Sequence, residues 1–165
     1  MTDPAPPTGP VTPTRPVTPT RPVTPTDPAT PADPPSPATP PLRDRLAEER
    51  HAWLCTVRPD GSPHVTPVWF VFRDDTWWIG TDGGSVKVRN IEKSPRVSLT
   101  LEDGRFPVVA EGEAVPHSAP FPETVRAAFA AKYDGWDVSV PHRQDGDRIL
   151  LEVPVRRWLL TGTAQ

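Results

Sequence analysis

Glycines, two hydroxyls and two cations come together at Gly80-Thr81-Asp82-Gly83-Gly84-Ser85-Val86-Lys87-Val88-Arg89-Asn90. Ser85 is a good N-cap, which predicts a helix starting just after it. A helix start carries unpaired N–H groups and the positive end of a dipole, a favourable place for an anion. Lys87 and Arg89 in the first turn oppose that dipole, so a bound phosphate is one reason for their presence. Gly83 and Gly84 are free to take φ > 0 and to bring bare backbone close to a ligand. The same residues also fit a solvated helix after a tight turn, because glycine-rich patterns recur without phosphate.

Other reactive residue types give less. His51, His64, His117 and His142 are dispersed, without the spacing of a metal site. His64 fits either a pocket-facing position or a solvated strand position. Cys55 lies between Leu54 and Thr56 in an apolar strand pattern and reads as a small core residue. Tyr133 and Trp136 follow an alanine-rich helix and fit either a substrate mouth or packing. Asp145-Gly146-Asp147 reads as a hairpin turn and lacks the further ligands of a calcium loop. No acid–base dyad has convincing spacing.

The elements that must position these residues occupy only part of the chain. Residues 1–41 hold 16 of the 26 prolines and no aromatic residue; residues 42–165 hold all six tryptophans. Proline stands at every third position from Pro10 to Pro40, the period of a polyproline II helix. With few core-forming residues, this tail is expected to be a semi-stiff, disordered arm. It fits a spacer, or a docking peptide for a groove that accepts Pro-x-x-Pro. The 42–165 stretch is of ordinary single-domain size. The net charge is −3, which lacks the basic excess of a nucleic-acid binder. No run is long and apolar enough to span a membrane, and a cytoplasmic location is expected.

Within 42–165 the patterning predicts short antiparallel strands. A helix is expected over Leu42–Arg50 and strands over 52–58, 63–73 and 76–81, joined by turns at 59–62 and at Asp74-Asp75. Pro67 implies an edge strand or a bulge. After the basic helix come strands at about 95–102 and 107–115, a helix over 122–132, and one long strand over 148–161 kinked at Pro154. Six strands with few helices indicate a mostly β fold, a small barrel with peripheral helices.

Five segments in order carry a resemblance to a known family: Leu54–Pro63, Val65-Thr66-Pro67-Val68-Trp69-Phe70, Ser85–Ile91, Ser94–Leu99 and Val109–Ala114. Together they resemble the split β-barrel flavin and deazaflavin proteins related to pyridoxamine 5′-phosphate oxidase. The resemblance implies a homodimer with two cofactor sites at the subunit interface. The Lys-x-x-Asn form of the helix looks more like the branch that uses coenzyme F420; FMN is the alternative. Lys87 would then contact the cofactor phosphate, with Ser85 and the Gly84 backbone beside it. Thr66, Pro67 and Val68 match the strand beside the ring system, and Thr81 a strand-end residue near the ribityl or phosphate portion. Arg89 and Asn90 are expected to divide between ligand contact and helix packing. The implied activity is hydride transfer from reduced F420 to a small organic acceptor. The rivals are an FMN-dependent oxidoreductase and a non-catalytic flavin, deazaflavin or haem carrier.

Overall fold

The computed structural model describes residues 40–141 and 146–162. The proline period, His142 and Asp145 lie outside the described residues. The elements run α1 (Pro40–Glu48), β1 (His51–Val57), β2 (Pro63–Arg73), β3 (Thr76–Asp82), α2 (Val86–Lys93), β4 (Arg96–Leu101), β5 (Val108–Glu113), β6 (Val115–Ser118), α3 (Glu123–Lys132) and β7 (Arg148–Thr161). Six strands follow one another in the order β3-β2-β1-β4-β5-β7, and β7 returns to β3 to close a barrel; β6 adds to β7. The mostly β split barrel with a few peripheral helices is therefore the observed fold.

Two turns and one proline shape the closure. Asp74 and Asp75 have φ of 51° and 54°, the paired left-handed residues of a two-residue hairpin turn, which aspartate tolerates. They turn β2 into β3. Pro154 stands where β7 changes partners: the β3 ladder ends at Thr76 opposite Pro154, and the β5 ladder begins at Gly112 opposite Val155. A residue with no N–H to donate is tolerated at such a handover.

Strand number is where the sequence expectation is corrected. The chain over 108–118 forms two strands, Val108–Glu113 and Val115–Ser118, so the described residues carry seven strands rather than six. At the junction the Ala114 N–H leaves the β5 ladder and donates to the Pro95 carbonyl at 2.8 Å. The chain then crosses to β7, where Val115–Ser118 pair with 149–152. Helix α1 also ends at Glu48, two residues before the expected boundary.

The apolar residues sort onto two sides of the sheet. Leu54, Phe70, Trp77, Ile79, Leu99 and Leu151 fill the barrel. Val71, Phe121, Val125, Phe129, Tyr133 and Leu150 form a second core under α3. Successive residues of β2, Phe70 and Val71, thus point to different cores, as strand alternation requires. The strand beside the cleft described next is held from both faces.

Candidate functional site

The cleft begins where β2 and β3 part. The two strands pair only from Phe70 opposite Ile79 to Arg73 opposite Thr76. Beyond that point β2 continues along β1 alone, and β3 along β7 alone. The gap is a cleft of about 340 Å³ lined by Pro67, Val68, Trp69, Gly80, Thr81, Asp82, Lys87, Trp136 and Arg148, within the usual size range of small-ligand sites. Pro67 lies on the half of β2 with a single partner strand, so the edge-strand expectation holds and its missing N–H interrupts no second ladder.

One end of the cleft carries the polar groups. The Lys87 Nζ donates to Thr81 Oγ1 at 3.3 Å, and Thr81 Oγ1 lies 3.4 Å from Ser85 Oγ. Burial pushes the Lys87 ammonium below the usual lysine value; Asp82 pulls it back up and Arg148 pushes it further down. Ser85 stands at the N-cap with an extended backbone, yet its hydroxyl makes no cap bond to α2. That hydroxyl is turned toward Thr81 instead. Lys87, Thr81 and Ser85 are thus brought together as three side chains able to hold an oxyanion.

The glycines of the loop act differently from the sequence expectation. Among the described residues the glycines with positive φ are 61, 135, 146 and 162, not 83 or 84. Gly83 lies close against the chain entering β7: a Cβ there would lie 3.2 Å from the Asp147 carbonyl oxygen, to which the Gly83 N–H donates at 2.8 Å. The bare backbone at Gly83 meets the protein's own chain. The exposed Gly84 accepts a bond from Arg89 Nη1 through its carbonyl. Arg89, itself exposed, folds back over the loop.

Asn90 packs between α2 and β1. It is buried, and its Nδ2 donates to Thr56 Oγ1 at 2.9 Å, which ties α2 to β1. His64 lies across the strand pair from Thr56, with Nδ1 3.4 Å from Thr56 Oγ1. Burial, then Arg58 and Lys87, hold the imidazole below its ordinary value. His64 is therefore near Lys87 and outside the cleft lining. Thr66 shares the inward-leaning side of β2 with Val68 and has a buried Oγ1 with no partner.

The other end of the cleft is aromatic. Trp69 and Trp136 pack edge to face at 5.2 Å, and Trp69 Nε1 donates to His51 Nε2 at 3.0 Å. Trp136, weighed from sequence as either mouth or packing, does both: it packs on Phe129 and lines the cleft. Tyr133 is buried behind it and serves packing. Trp69, Asp82 and Arg148 were missed as site residues. For Arg148 no local signal existed, since its partner Asp82 is 66 residues away. Cys55 is half-buried on the outer sheet face rather than in the core. Among the described residues no cluster of three or more His, Cys, Asp or Glu stands ready for a metal ion. No helix there is long and apolar enough to cross a membrane.

The barrel is split at one seam, with a cation and hydroxyls at one end of the seam and aromatic rings at the other. The chain matches the family model described as pyridoxamine 5′-phosphate oxidase over residues 38–162, and belongs to that family. It is 34% identical over 119 residues to the F420H(2)-dependent biliverdin reductase of Mycobacterium tuberculosis, covering 69% of this chain and 81% of that protein. Among solved structures, one described as an F420 reductase superposes with a TM-score of 0.58 at 23% identity, over 70% of this chain and 94% of that one. A heme storage protein of Vibrio cholerae superposes with a TM-score of 0.62 at 20% identity, over 76% and 96% of the two chains. These last two likenesses establish the shared fold.

Proposed function

We propose that this protein is an F420-dependent oxidoreductase that passes a hydride from the reduced deazaflavin to a small organic acceptor. The observation that carries the reading is the convergence of Lys87, Thr81 and Ser85 at one end of the β2–β3 cleft. The similarity to an F420H(2)-dependent reductase supports the choice of cofactor. The donor set suits a phosphate: one ammonium, two hydroxyls and the start of α2. The β2 edge at Pro67–Trp69 offers an apolar wall to a planar ring. Bound there, the reduced cofactor supplies the hydride.

The chain's own residues bind, orient and exclude water. Lys87 anchors the anionic end, and Val68 and Trp69 set the ring's depth. Trp136 closes the mouth from the α3 side. The two faces of the seam fix the distance between donor and acceptor, so proximity is the main source of rate. We further propose that two copies form a homodimer, with the outer face of β1 and β2 completing each site, and that residues 42–165 fold as one domain. FMN offers the same phosphate and a planar ring and is the second candidate.

The test is equilibrium binding of F420 and FMN to the purified protein, followed by single-turnover oxidation of reduced F420 with a panel of quinones, enones and tetrapyrroles. Micromolar or tighter F420 binding with acceptor-dependent oxidation is the expected result. Selective FMN binding would move the assignment to the flavin. Tight binding without turnover would make the protein a carrier.

A further inference from the structure

Arg148 enters the cleft at the first residue of β7, across the seam from β2. Its side chain is 5% exposed. Arginine is rarely buried to this degree unless its donors are engaged. Nε donates to the Val138 carbonyl at 3.0 Å, and Nη1 to an Asp82 carboxylate oxygen at 2.8 Å. Nη2 lies 2.8 Å from the point where a Cβ on Gly80 would stand. A Cβ there would meet Val138 Cγ2 first, so the missing side chain at Gly80 makes room for Val138 and for the guanidinium together. Trp136 covers the group, with the guanidinium carbon 5.4 Å from its ring centroid. The fork is thus held in one plane with its third nitrogen over a strand that lines the cleft.

The charge balance points the same way. Lys87 and Arg148 are the cations of the lining and Asp82 its carboxylate, so the wall carries one net positive charge. The three lie within electrostatic reach of one another, since Asp82 and Arg148 each act on the Lys87 ammonium. A buried Arg–Asp pair that served only to join β3 to β7 would need no lysine beside it. Asp82 offsets one of the two cations, which leaves one positive charge on the wall to meet an anion.

Resting on the reading that this cleft is the functional site, we propose that Arg148 is its second anion-binding residue. With Lys87 it takes one oxyanion of the ligand, Asp82 holds the guanidinium in place, and Gly80 leaves it room. The oxyanion is either the cofactor's phosphate or a carboxylate on the acceptor. Both suit the planar donor edge of an arginine.

The experiment uses the full chain and three probes: inorganic phosphate, F420 beside its phosphate-free riboside, and a carboxylate-bearing acceptor beside its methyl ester. Arg148→Lys keeps the charge and loses the fork. It should weaken phosphate binding about tenfold or more, the scale of one charge-assisted bond. Asp82→Asn keeps an acceptor for Nη1 and removes the competing negative charge. It should tighten phosphate binding several-fold and steepen its salt dependence, and it decides the question if Arg148→Lys does not fold. Loss of F420 affinity with the riboside unchanged assigns the cofactor phosphate. A raised KM for the acid, with the ester unchanged, assigns the acceptor's carboxylate. Unchanged binding of phosphate, F420 and the acid in Arg148→Lys, or no tightening in Asp82→Asn, would overturn the proposal. If the wild type bound neither F420 nor FMN, the cofactor reading would fail while the phosphate measurements still decided the role of Arg148.

Discussion

The Trp69 indole lies flat on the Tyr133 ring, with centroids 4.5 Å apart and planes 5° from parallel. The Tyr133 hydroxyl holds the next residue of the same strand: it accepts the Phe70 N–H at 2.8 Å and shares its proton between the Phe70 and Arg50 carbonyls at 2.8 and 2.7 Å. One side chain at the end of α3 thus fixes the lip of the cleft through both its face and its tip. Burial pushes the phenol up to about 12, so it stays protonated across the range in which the protein would work.

Tyr133→Phe should separate those two roles. The ring stack on Trp69 survives, and the Phe70 N–H loses its partner inside a buried contact. Leaving such a group unsatisfied costs about 1–3 kcal/mol. Denaturant unfolding should show that loss of stability. An unchanged midpoint would mean that water replaces the hydroxyl and that the stack alone holds the lip.

Asn90 is the corresponding tie on the other side of the barrel. Its Nδ2 bond to Thr56 Oγ1 is buried between α2 and β1. Asn90→Ala should destabilise by about 1–3 kcal/mol through the lost buried bond and the lost volume, although Thr56 Oγ1 keeps its bond to the His64 carbonyl. Because α2 carries Lys87, F420 affinity should fall as well, but less than for a change at Lys87 itself. An affinity loss with no stability loss would instead make Asn90 a direct ligand contact.

What was legible in the sequence is what local pattern encodes. Strand alternation showed β1 to β3, Asp74-Asp75 marked their hairpin, and Ser85 marked the start of α2. The strand Val115–Ser118 was not legible, because the break at Ala114 is a hydrogen bond to Pro95 on a different segment. The same limit hid the placement of Arg148 in the cleft wall: its partner Asp82 and the neighbouring Gly80 are both far away in sequence. Gly83 shows the reverse case. Its type suggested a ligand contact, and the neighbour it approaches is the backbone at Asp147.

Lys132 gives a pH dependence with a definite sign. Its ammonium sits 3.7 Å from the Phe70 ring centroid and donates to the Leu46 carbonyl at 3.0 Å. Burial lowers its pKa to about 8, with Glu49 opposing and Arg50 assisting. Folded chains therefore bind fewer protons than unfolded ones between the lowered value and the ordinary lysine value. Stability from this group is full above the unfolded value and is lost as pH falls through about 8. Relative to Lys132→Met, the wild type should gain stability from pH about 8 to pH about 10. A pH-independent difference would show that the ammonium keeps its water.

Lys87→Ala tests the phosphate end of the cleft. The variant removes the ammonium that reaches Thr81 and leaves the backbone of α2 intact. A charge-assisted bond of this kind contributes about 1.5–3 kcal/mol. F420 affinity should fall about tenfold to a hundredfold, with the phosphate-free riboside little affected. Equal losses for both ligands would place Lys87 against the ring or the ribityl chain instead.

The last prediction concerns the second copy. The outer face of β1 and β2 leaves Trp53 39% and Val65 53% exposed, with Trp69 at 38% beside them. Exposed tryptophan on the outer face of a sheet is the composition of an interface core rather than of a solvated surface. Farther along the same sheet, Arg156 pairs with Glu113 and Arg157 with Glu111, which suits a polar rim. If two copies meet here, a charge at the centre of the face must be buried without a partner, which is costly. Trp53→Asp should therefore give a folded monomer by light scattering, with the circular dichroism of the wild type. The cleft opens beside this face at Pro67 and Trp69, so F420 affinity should fall together with dimer formation. A monomeric variant that still binds F420 as tightly as the wild type would show that each cleft is complete within one chain. A wild type that is monomeric at micromolar concentration would remove the dimer altogether and leave Trp53 as a surface for a different partner.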